Sequence, residues 1–531
     1  MFKRISQLFI VFVLALLLSP AAFATEEEEA YQVELYASAT GFEYSSFLTD
    51  GYDKYYFAAW SGATIDLTAD SPFSSLYILF DLEYGEYTIL DNDNELQITG
   101  GKNGFLHEFI RLPQPTTSVT ILFPQGYVAI SEIRAFTEGT PAGVQIWEAP
   151  LEGGCDLLLM STHGDDEHLF FAGILPMYGC EQGYDVQVCY FTNHREWTKE
   201  RCHEMLNGLW AVGVRTYPHF GTFPDFRIDD KEATYRKYEM MGVSKNDMLS
   251  FCVEQIRRFR PQVVVGHDFK GEYGHGMHQV YADQVSQAVY LTNDPNYFPS
   301  SAEKYGLWDV PKTYFHVYEE NVVELELDAP LESFAGMSAF DVSRNIGFQQ
   351  HVSQQIYTTF THWIYGANRE VTCSKDITRF SPRYYGLFRT TVGPDVEKND
   401  LMENTKTYNE RKQAEEDARL EAIRREEEQD AERLAAIEAE KQAELNKRLE
   451  EKRLKEEEEA RRKEQQQMTI VLIALGVLAL LSGGGALITR LVKNKKEVAA
   501  ETASAEPAQE PTETDETTVS EPVEDTEKTD S

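Results

Sequence analysis

The chain has 531 residues and a formal net charge of −39 at pH 7. Acidic residues are concentrated in the Thr25–Glu29 leader, in residues 401–467 and in the tail after Glu497. This charge disfavours nucleic-acid binding, because that function needs a basic surface.

The N-terminus has the pattern of an export signal. Lys3 and Arg4 precede an apolar run over residues 8–18, and Ala22-Phe23-Ala24 follows it. A basic region, a short apolar region and a small-x-small cleavage site predict a secretory signal peptide over residues 1–24.

Residues 30–140 are aromatic-rich and alternate short apolar runs, such as residues 76–80 and 119–123, with turn residues. Regular short strands of this kind predict a β-sandwich. Residues 130–136 resemble the last strand of discoidin-like domains, which implies a module that binds glycans or surfaces. A purely structural sandwich is the alternative. The polar segment Asp91–Glu95 is interpreted as a hairpin turn rather than a Ca²⁺ loop, since it lacks a full set of ligands.

Residues 145–395 alternate strand-like and helix-like segments. This alternation predicts an α/β domain with a parallel, Rossmann-like sheet. No glycine-rich dinucleotide fingerprint follows the first strand, which argues against a nicotinamide enzyme. The predicted strands lie near 155–162, 185–192, 262–267 and 312–318, and the predicted helices near 167–179, 197–212 and 245–259.

The motif His163-Gly164-Asp165-Asp166-Glu167 directly follows the apolar run of the first strand in this domain. It therefore lies at the carboxyl end of a strand, where open α/β sheets place their sites. Adjacent carboxylates repel one another unless a cation or a proton is shared. A histidine with an aspartate is a ligand set that suits Zn²⁺.

A second motif, His275-Gly276-Met277-His278, comes after the apolar run 263–265 and opens a helix expected over Gln279–Tyr290. Its two histidines are three residues apart and share a helix face. Three protein ligands drawn from the two motifs would leave a fourth position for water, the pattern of a catalytic zinc site. The alternative is that these histidines are ordinary polar loop residues.

The two motifs together resemble the LmbE/PIG-L family of zinc-dependent de-N-acetylases. The resemblance covers residues 148–388 and includes Arg201-Cys202-His203-Glu204 on a helix. It implies a Rossmann-like fold and removal of acetyl groups from N-acetylglucosamine-type sugars.

The resemblance also implies roles for individual residues. His163, Asp166 and His278 would be the metal ligands, Asp165 the general base and Arg201 a substrate contact. His275 would stabilise the oxyanion or protonate the leaving amine. Glu167 is interpreted mainly as a helix cap.

Two positions depart from the family pattern. Gly164 replaces the usual proline, which should only loosen the turn. Met277 replaces an aspartate and removes an expected orienting partner of His275.

The order of charged, apolar and basic segments in the C-terminal part of the sequence predicts a membrane anchor. Residues 401–467 are dense in Glu, Lys, Arg and Ala and predict a solvated helical stalk, with a coiled coil as the alternative. Residues 468–490 are apolar enough to cross a bilayer once. Lys493 and its basic neighbours place the acidic, disordered tail 491–531 in the cytoplasm, so the enzyme would face outward.

Six cysteines, all within the α/β segment, either pair after export or remain buried thiols. They are Cys155, Cys180, Cys189, Cys202, Cys252 and Cys373.

The chain is thus interpreted as a membrane-anchored zinc hydrolase that deacetylates GlcNAc-type sugars. A catalytically silent glycan-binding surface protein is the alternative.

Overall fold

The chain divides into two units, residues 1–417 and residues 418–531. The computed structural model describes residues 29–40, 45–60, 62–124, 126–193, 200–355, 360–365, 369–393 and 397–481. The signal peptide predicted over residues 1–24, the end of the predicted span and the tail 491–531 lie outside the described residues.

The N-terminal part of the first unit is built from β-strands. Eight of them form an antiparallel sheet in the order β2-β9-β5-β8-β6-β7, in which β3 also pairs with β5 and β4 with β9. The ten strands are β1 (Glu29–Ala30), β2 (Gln32–Val33), β3 (Tyr36–Ala39), β4 (Phe57–Trp60), β5 (Thr64–Phe80), β6 (Tyr87–Asp91), β7 (Leu96–Gly100), β8 (His107–Leu122), β9 (Tyr127–Phe136) and β10 (Thr140–Pro141).

The expectation of uniformly short strands is wrong for two of these elements. Strand β5 has 17 residues and β8 has 16, and the register between them shifts between Thr68 and Phe73. The two halves of each long strand thus pair differently while covering one apolar core, which includes Ile65, Ile78 and Ile121. The predicted hairpin turn at Asp91–Glu95 is confirmed, since it joins β6 to β7.

The strand-rich part packs against the α/β part through buried polar and aromatic contacts. His107 Nε2 lies 2.7 Å from His203 Nδ1, and the Leu106 N–H donates to the Tyr217 hydroxyl at 3.0 Å. Phe105 also stacks on Tyr217, with ring centroids 4.4 Å apart. The sandwich is therefore at least a structural partner of the α/β part.

The α/β part contains a six-stranded sheet in the order β12-β11-β15-β16-β18-β17. The four strands from β12 to β16 are parallel neighbours, whereas β18 and β17 pair antiparallel. The sheet is thus mixed, and the expectation of a parallel sheet holds for four of its strands. Its strands, with the separate β13–β14 pair, are β11 (Cys155–Ser161), β12 (Val186–Tyr190), β13 (Thr192–Asn193), β14 (Phe223–Pro224), β15 (Pro261–Gly266), β16 (Lys312–His316), β17 (Val322–Glu324) and β18 (Tyr384–Thr390).

The described residues also contain ten α-helices. The α-helices are α1 (Asp166–Leu169), α2 (Arg201–Ala211), α3 (Lys231–Met240), α4 (Lys245–Phe259), α5 (Gly276–Leu291), α6 (Pro299–Tyr305), α7 (Ala339–Val342), α8 (Val352–Gln355), α9 (Phe360–Tyr365) and α10 (Tyr408–Leu481). Helix α4 has the predicted bounds, because Ser244 and Asp247 form a capping box at its start.

The helix predicted over 167–179 is wrong in extent. Helix α1 ends at Leu169, and a π-helical segment, Leu175–Glu181, follows. Gly173 has a φ of +92°, which an α-helix does not tolerate. Pro176 lacks the N–H that an α-helix interior needs. Both residues were visible in the sequence.

The C-terminal helix α10 runs from Tyr408 to Leu481. Leu401 and Met402, which precede it, are buried in the first unit, so the helix starts later than the predicted stalk. An 18-residue window of α10 has a mean hydropathy of 1.5, enough by length and composition to cross a membrane once. The six cysteines of the α/β part are all free thiols.

Candidate metal and catalytic site

The two sequence motifs meet at the carboxyl edge of the parallel strands. Strand β11 ends at Ser161, and the turn that follows carries His163 to Asp166 into α1. Strands β11 and β15 are parallel neighbours, and the loop after β15 leads to His275 and His278 at the start of α5. The carboxyl ends of neighbouring parallel strands share one edge, which explains why distant sequence motifs converge here.

Three of the predicted ligand atoms form a nearly equilateral triangle. His163 Nδ1 lies 3.1 Å from Asp166 Oδ2 and 3.1 Å from His278 Nε2. His278 Nε2 lies 3.3 Å from Asp166 Oδ2. All three side chains are buried. Bonds of about 2.0–2.1 Å to a tetrahedral zinc imply ligand separations of roughly 3.3–3.4 Å. The triangle therefore fits one face of a tetrahedral metal site.

Each histidine of this triangle has a carboxylate next to its second ring nitrogen, the one outside the triangle. His163 Nε2 lies 3.3 Å from Asp225 Oδ1, and His278 Nδ1 lies 2.6 Å from Glu272 Oε2. Such partners fix the ring orientation and leave the opposite nitrogen of each ring facing the other atoms of the triangle.

The same carboxylates make the site attractive to a cation. Burial alone would favour neutral His163, but Asp225 and Asp166 outweigh it and raise the pKa of this residue to about 10. Burial lowers the pKa of His278, but Asp166 and Glu272 outweigh this effect and raise the pKa of His278 to about 9. The buried negative charge therefore favours a positive charge at the triangle, carried either by protons or by a metal.

The Glu272 carboxylate accepts hydrogen bonds from more than one histidine. Its Oε2 lies 2.9 Å from His267 Nδ1 as well as near His278, and its Oε1 lies 2.7 Å from His316 Nδ1. The Asp268 N–H donates to Oε1 at 3.2 Å. Glu272 is fully buried. Both of its carboxylate oxygens accept hydrogen bonds from two donors each.

Sequence reasoning missed Asp225, Glu272, His267 and His316. His267 directly follows β15, so the strand-end argument that found His163 would also have found it. His316 is the last residue of β16 and could have been found in the same way. The roles of Asp225 and Glu272 depend on the paths of loops, which sequence spacing does not reveal.

His275 does not depend on the side chain at position 277. The Met277 N–H donates to His275 Nδ1 at 3.1 Å, which leaves Nε2 as the protonated nitrogen of the neutral ring. Burial, together with the neighbouring His278 and His163, holds the pKa of His275 well below its usual range. The ring is therefore a neutral donor, and the loss of the expected aspartate is compensated by the backbone.

Asp165 pairs with Arg201 beside the triangle, with Oδ2 lying 3.3 Å from Nη2. Burial raises the pKa of Asp165 although the Arg201 charge opposes this shift. A carboxylate with a raised pKa accepts a proton more readily, as a general base must. Arg201 Nη1 is buried and has no hydrogen-bond partner among the described residues, so one donor of this residue remains for a ligand.

Glu167 lies in the first turn of α1, the position that the sequence interpretation gives it. Its side chain is fully buried, and its carboxylate faces His168 and His351.

The triangle opens into a pocket of about 110 Å³. Trp363 contributes an indole N–H that is buried without a hydrogen-bond partner among the described residues. The lining residues are His163, Asp165, Asp166, Leu169, Phe170, Arg201, Asp225, Arg227, Tyr273, His275, Gln354 and Trp363.

The backbone before His275 is held in an unusual conformation. Tyr273 has a φ of +47°, in the left-handed region that non-glycine residues rarely adopt. A Cβ on Gly271 would come within 2.4 Å of the His275 carbonyl oxygen, so only glycine fits there. This tight loop turns the chain so that His275 reaches the pocket and His278 reaches the ligand triangle.

Part of the chain is similar in sequence to known proteins. Residues 158–289 match the family model described as PIG-L, GlcNAc-PI de-N-acetylase. A 1D-myo-inositol 2-acetamido-2-deoxy-alpha-D-glucopyranoside deacetylase 1 of Catenulispora acidiphila is 28% identical over 207 residues, which are 33% of this chain. The corresponding deacetylase of Geodermatophilus obscurus is 32% identical over 196 residues, also 33% of this chain.

These matches show that the part of the chain that carries the site is similar to the PIG-L family. The chain spans only 60% and 65% of the lengths of the two relatives. A solved structure described as CpGH89CBM32-6 produced by Clostridium perfringens is similar to 20% of the chain, with 94% of its own length covered, at 16% identity. Its TM-score of 0.18 is too low to support a conclusion about the sandwich.

The role of Glu272 leads to a testable prediction. Glu272→Gln should weaken zinc binding at the triangle by about 10–100-fold, because the amide cannot accept from three histidines at once. The measurement is zinc affinity by competition with a chromophoric chelator.

The matched control is Glu319→Gln, whose carboxylate is exposed and pairs only loosely with Lys270 at 3.4 Å. It should leave the affinity unchanged. Wild-type zinc affinity in a folded Glu272→Gln variant would contradict the positioning role.

Proposed function

We propose that the chain is a zinc-dependent hydrolase that removes N-acetyl groups from GlcNAc-type sugars or glycans. The observation that carries this proposal is the triangle of His163, Asp166 and His278 opening into a pocket. Asp165, Arg201 and His275 line the same pocket. A binding protein without activity would not need a ligand triangle, a buried carboxylate and a neutral histidine donor around one small cavity.

Each of these residues has a distinct role in the proposed amide hydrolysis. His163, Asp166 and His278 would hold zinc, which when bound polarises the amide carbonyl and acidifies water. Asp165 takes the proton of the attacking water and gives it to the nitrogen of the leaving amine as the C–N bond breaks, and Arg201 keeps this carboxylate in place at 3.3 Å. His275 donates its Nε2 proton in a hydrogen bond to the oxyanion that develops on the carbonyl oxygen.

The pocket size favours an N-acetyl group as the buried part of the substrate. At about 110 Å³ the cavity is smaller than the roughly 300–1,000 Å³ of typical small-molecule sites. It would enclose the acetamido group and leave the sugar ring at its mouth. Arg201 Nη1 and Trp363 Nε1 are unpaired donors among the described residues and suit sugar hydroxyl oxygens. The named substrates of the two relatives also carry an acetamido sugar.

The sandwich is proposed as a glycan-binding accessory. Trp60 is 73% exposed, and its ring centroid lies 4.6 Å from that of Tyr127. Tyr52 and Tyr55 are also exposed. Exposed aromatic rings can stack on sugar rings while their polar tips stay hydrated.

We also propose that the chain is anchored in the cell membrane with the enzyme outside. The apolar end of α10 supports a single span, and the basic cluster around Lys493 supports a cytoplasmic tail. The charged part of α10 then serves as a stalk.

The chemical proposal predicts that Asp165→Asn keeps its zinc but loses about 10²–10⁴-fold in turnover, because the amide cannot accept the proton of water. The assay is acetate release from a panel containing a small GlcNAc conjugate, chitin oligomers and cell-wall glycan, with zinc content measured in parallel. Asp309→Asn, at an exposed carboxylate that pairs with Arg389, is the matched control and should keep full activity.

Full turnover by Asp165→Asn would remove Asp165 from the mechanism. A wild-type chain that binds the glycans but releases no acetate from any of them would favour the silent binding protein instead.

The topology predicts the result of proteolysis on intact cells. Protease should cut the exposed stalk and release the enzyme, while the tail from Lys493 to Ser531 stays protected. A chain truncated before Met468 should be secreted, soluble and active. Digestion of the tail on intact cells, or membrane retention of the truncated chain, would contradict the anchoring proposal.

A further inference from the structure

A second cluster of metal-ligating groups lies outside the pocket just described. It consists of Glu167, His168 and His351, and all three side chains have no exposed surface. None of them lines the pocket, and none is assigned a role by the deacetylation mechanism. We call these residues the rear cluster.

The spacing within the rear cluster is that of metal ligands rather than of hydrogen bonds. Glu167 Oε1 lies 3.6 Å from His168 Nε2 and 3.8 Å from His351 Nε2, and one ligand atom of each residue lies within 4.8 Å of the others. Hydrogen bonds between such atoms would be about 2.7–3.2 Å long. Ligands of a tetrahedral zinc, with bonds of about 2.0–2.1 Å, stand roughly 3.3–3.4 Å apart. The two distances to Glu167 Oε1 exceed this separation by only a few tenths of an ångström.

His168 provides independent support. Neither of its ring nitrogens has a hydrogen-bond partner among the described residues, although the ring is fully buried. A buried polar group without a partner is costly, and native structures rarely keep one. A metal bound at Nε2 would satisfy this ring where no protein group does.

The neighbouring backbone leaves room at the point where the rings converge. A Cβ on Gly208 would lie 2.8 Å from Nε2 of both His168 and His351, so both nitrogens face the same small volume beside α2. A Cβ on Gly347 would come within 2.4 Å of His168 Nδ1. Both glycines therefore keep the space around the two rings clear.

We propose that Glu167, His168 and His351 form a second metal site that binds a divalent transition metal, with zinc as the best-suited ion. One carboxylate and two imidazoles are a known zinc ligand set. The site has no opening to solvent, so its role is structural. It would tie α1, which carries Asp166, to the turn at His351 that leads into α8 and to Gln354 in the pocket wall. This proposal does not depend on the deacetylase reaction.

Zinc content of the purified full-length chain in detergent tests the proposal. After saturation with zinc and removal of excess, wild type should hold two equivalents by mass spectrometry. His351→Ala and His163→Ala should each hold one, and the double variant none. His219→Ala, at a histidine outside both sites that stacks on Phe251, is the matched control and should hold two.

Gly208→Ala provides a second test if the histidine variants fail to fold. Alanine suits a helix, but its Cβ would occupy the volume between the two rings, so this variant should lose one equivalent and keep the first site. Removal of the second ion should also lower the melting temperature of a His163→Ala chain. The same zinc content in wild type and in folded His351→Ala or Gly208→Ala would overturn the proposal, whatever the occupancy of the first site.

Discussion

The geometry of the site depends on one buried carboxylate. Glu272 accepts from His267, His278 and His316, and burial of this charge is tolerated because His267 and His278 hold its pKa well below the usual range. Burial opposes that shift, so the histidines must outweigh it. With Nδ1 of His278 bound to Glu272, Nε2 has only one direction left, toward His163 and Asp166.

The network around Glu272 also connects the site to the strands beneath it. His267 Nε2 accepts from the Thr162 N–H at 2.9 Å, which links the ends of β15 and β11. His316 ends β16, and its Nε2 donates to the Ser381 carbonyl at 3.0 Å. Each ligand is thus held by a neighbour that is itself fixed to a strand end. Preorganisation of this kind is what the proposed amide hydrolysis would require.

The sequence predicted those parts of the site that follow strand ends. The apolar run before His163 and the alternation of strands and helices placed both motifs at one edge of a sheet, and the structure brings their side chains together. The sequence did not predict the antiparallel strands β17 and β18, nor the carboxylates Asp225 and Glu272 that contact the histidines. Their positions depend on the paths of loops rather than on local periodicity. Glu167 lies in the first turn of α1 as expected, but its burial against His351 was not predicted, because position 351 is distant in the sequence.

A paired substitution of His278 and His275 tests the central claim most directly, because both residues lie at the start of α5 but only His278 has a nitrogen in the ligand triangle. Zinc content and acetate release are measured together on folded His278→Ala and His275→Ala chains. The account predicts that His278→Ala loses one equivalent of zinc and its activity, whereas His275→Ala keeps its zinc and loses rate alone. Zinc lost from His275→Ala but retained by His278→Ala would contradict the assignment of ligand and oxyanion donor.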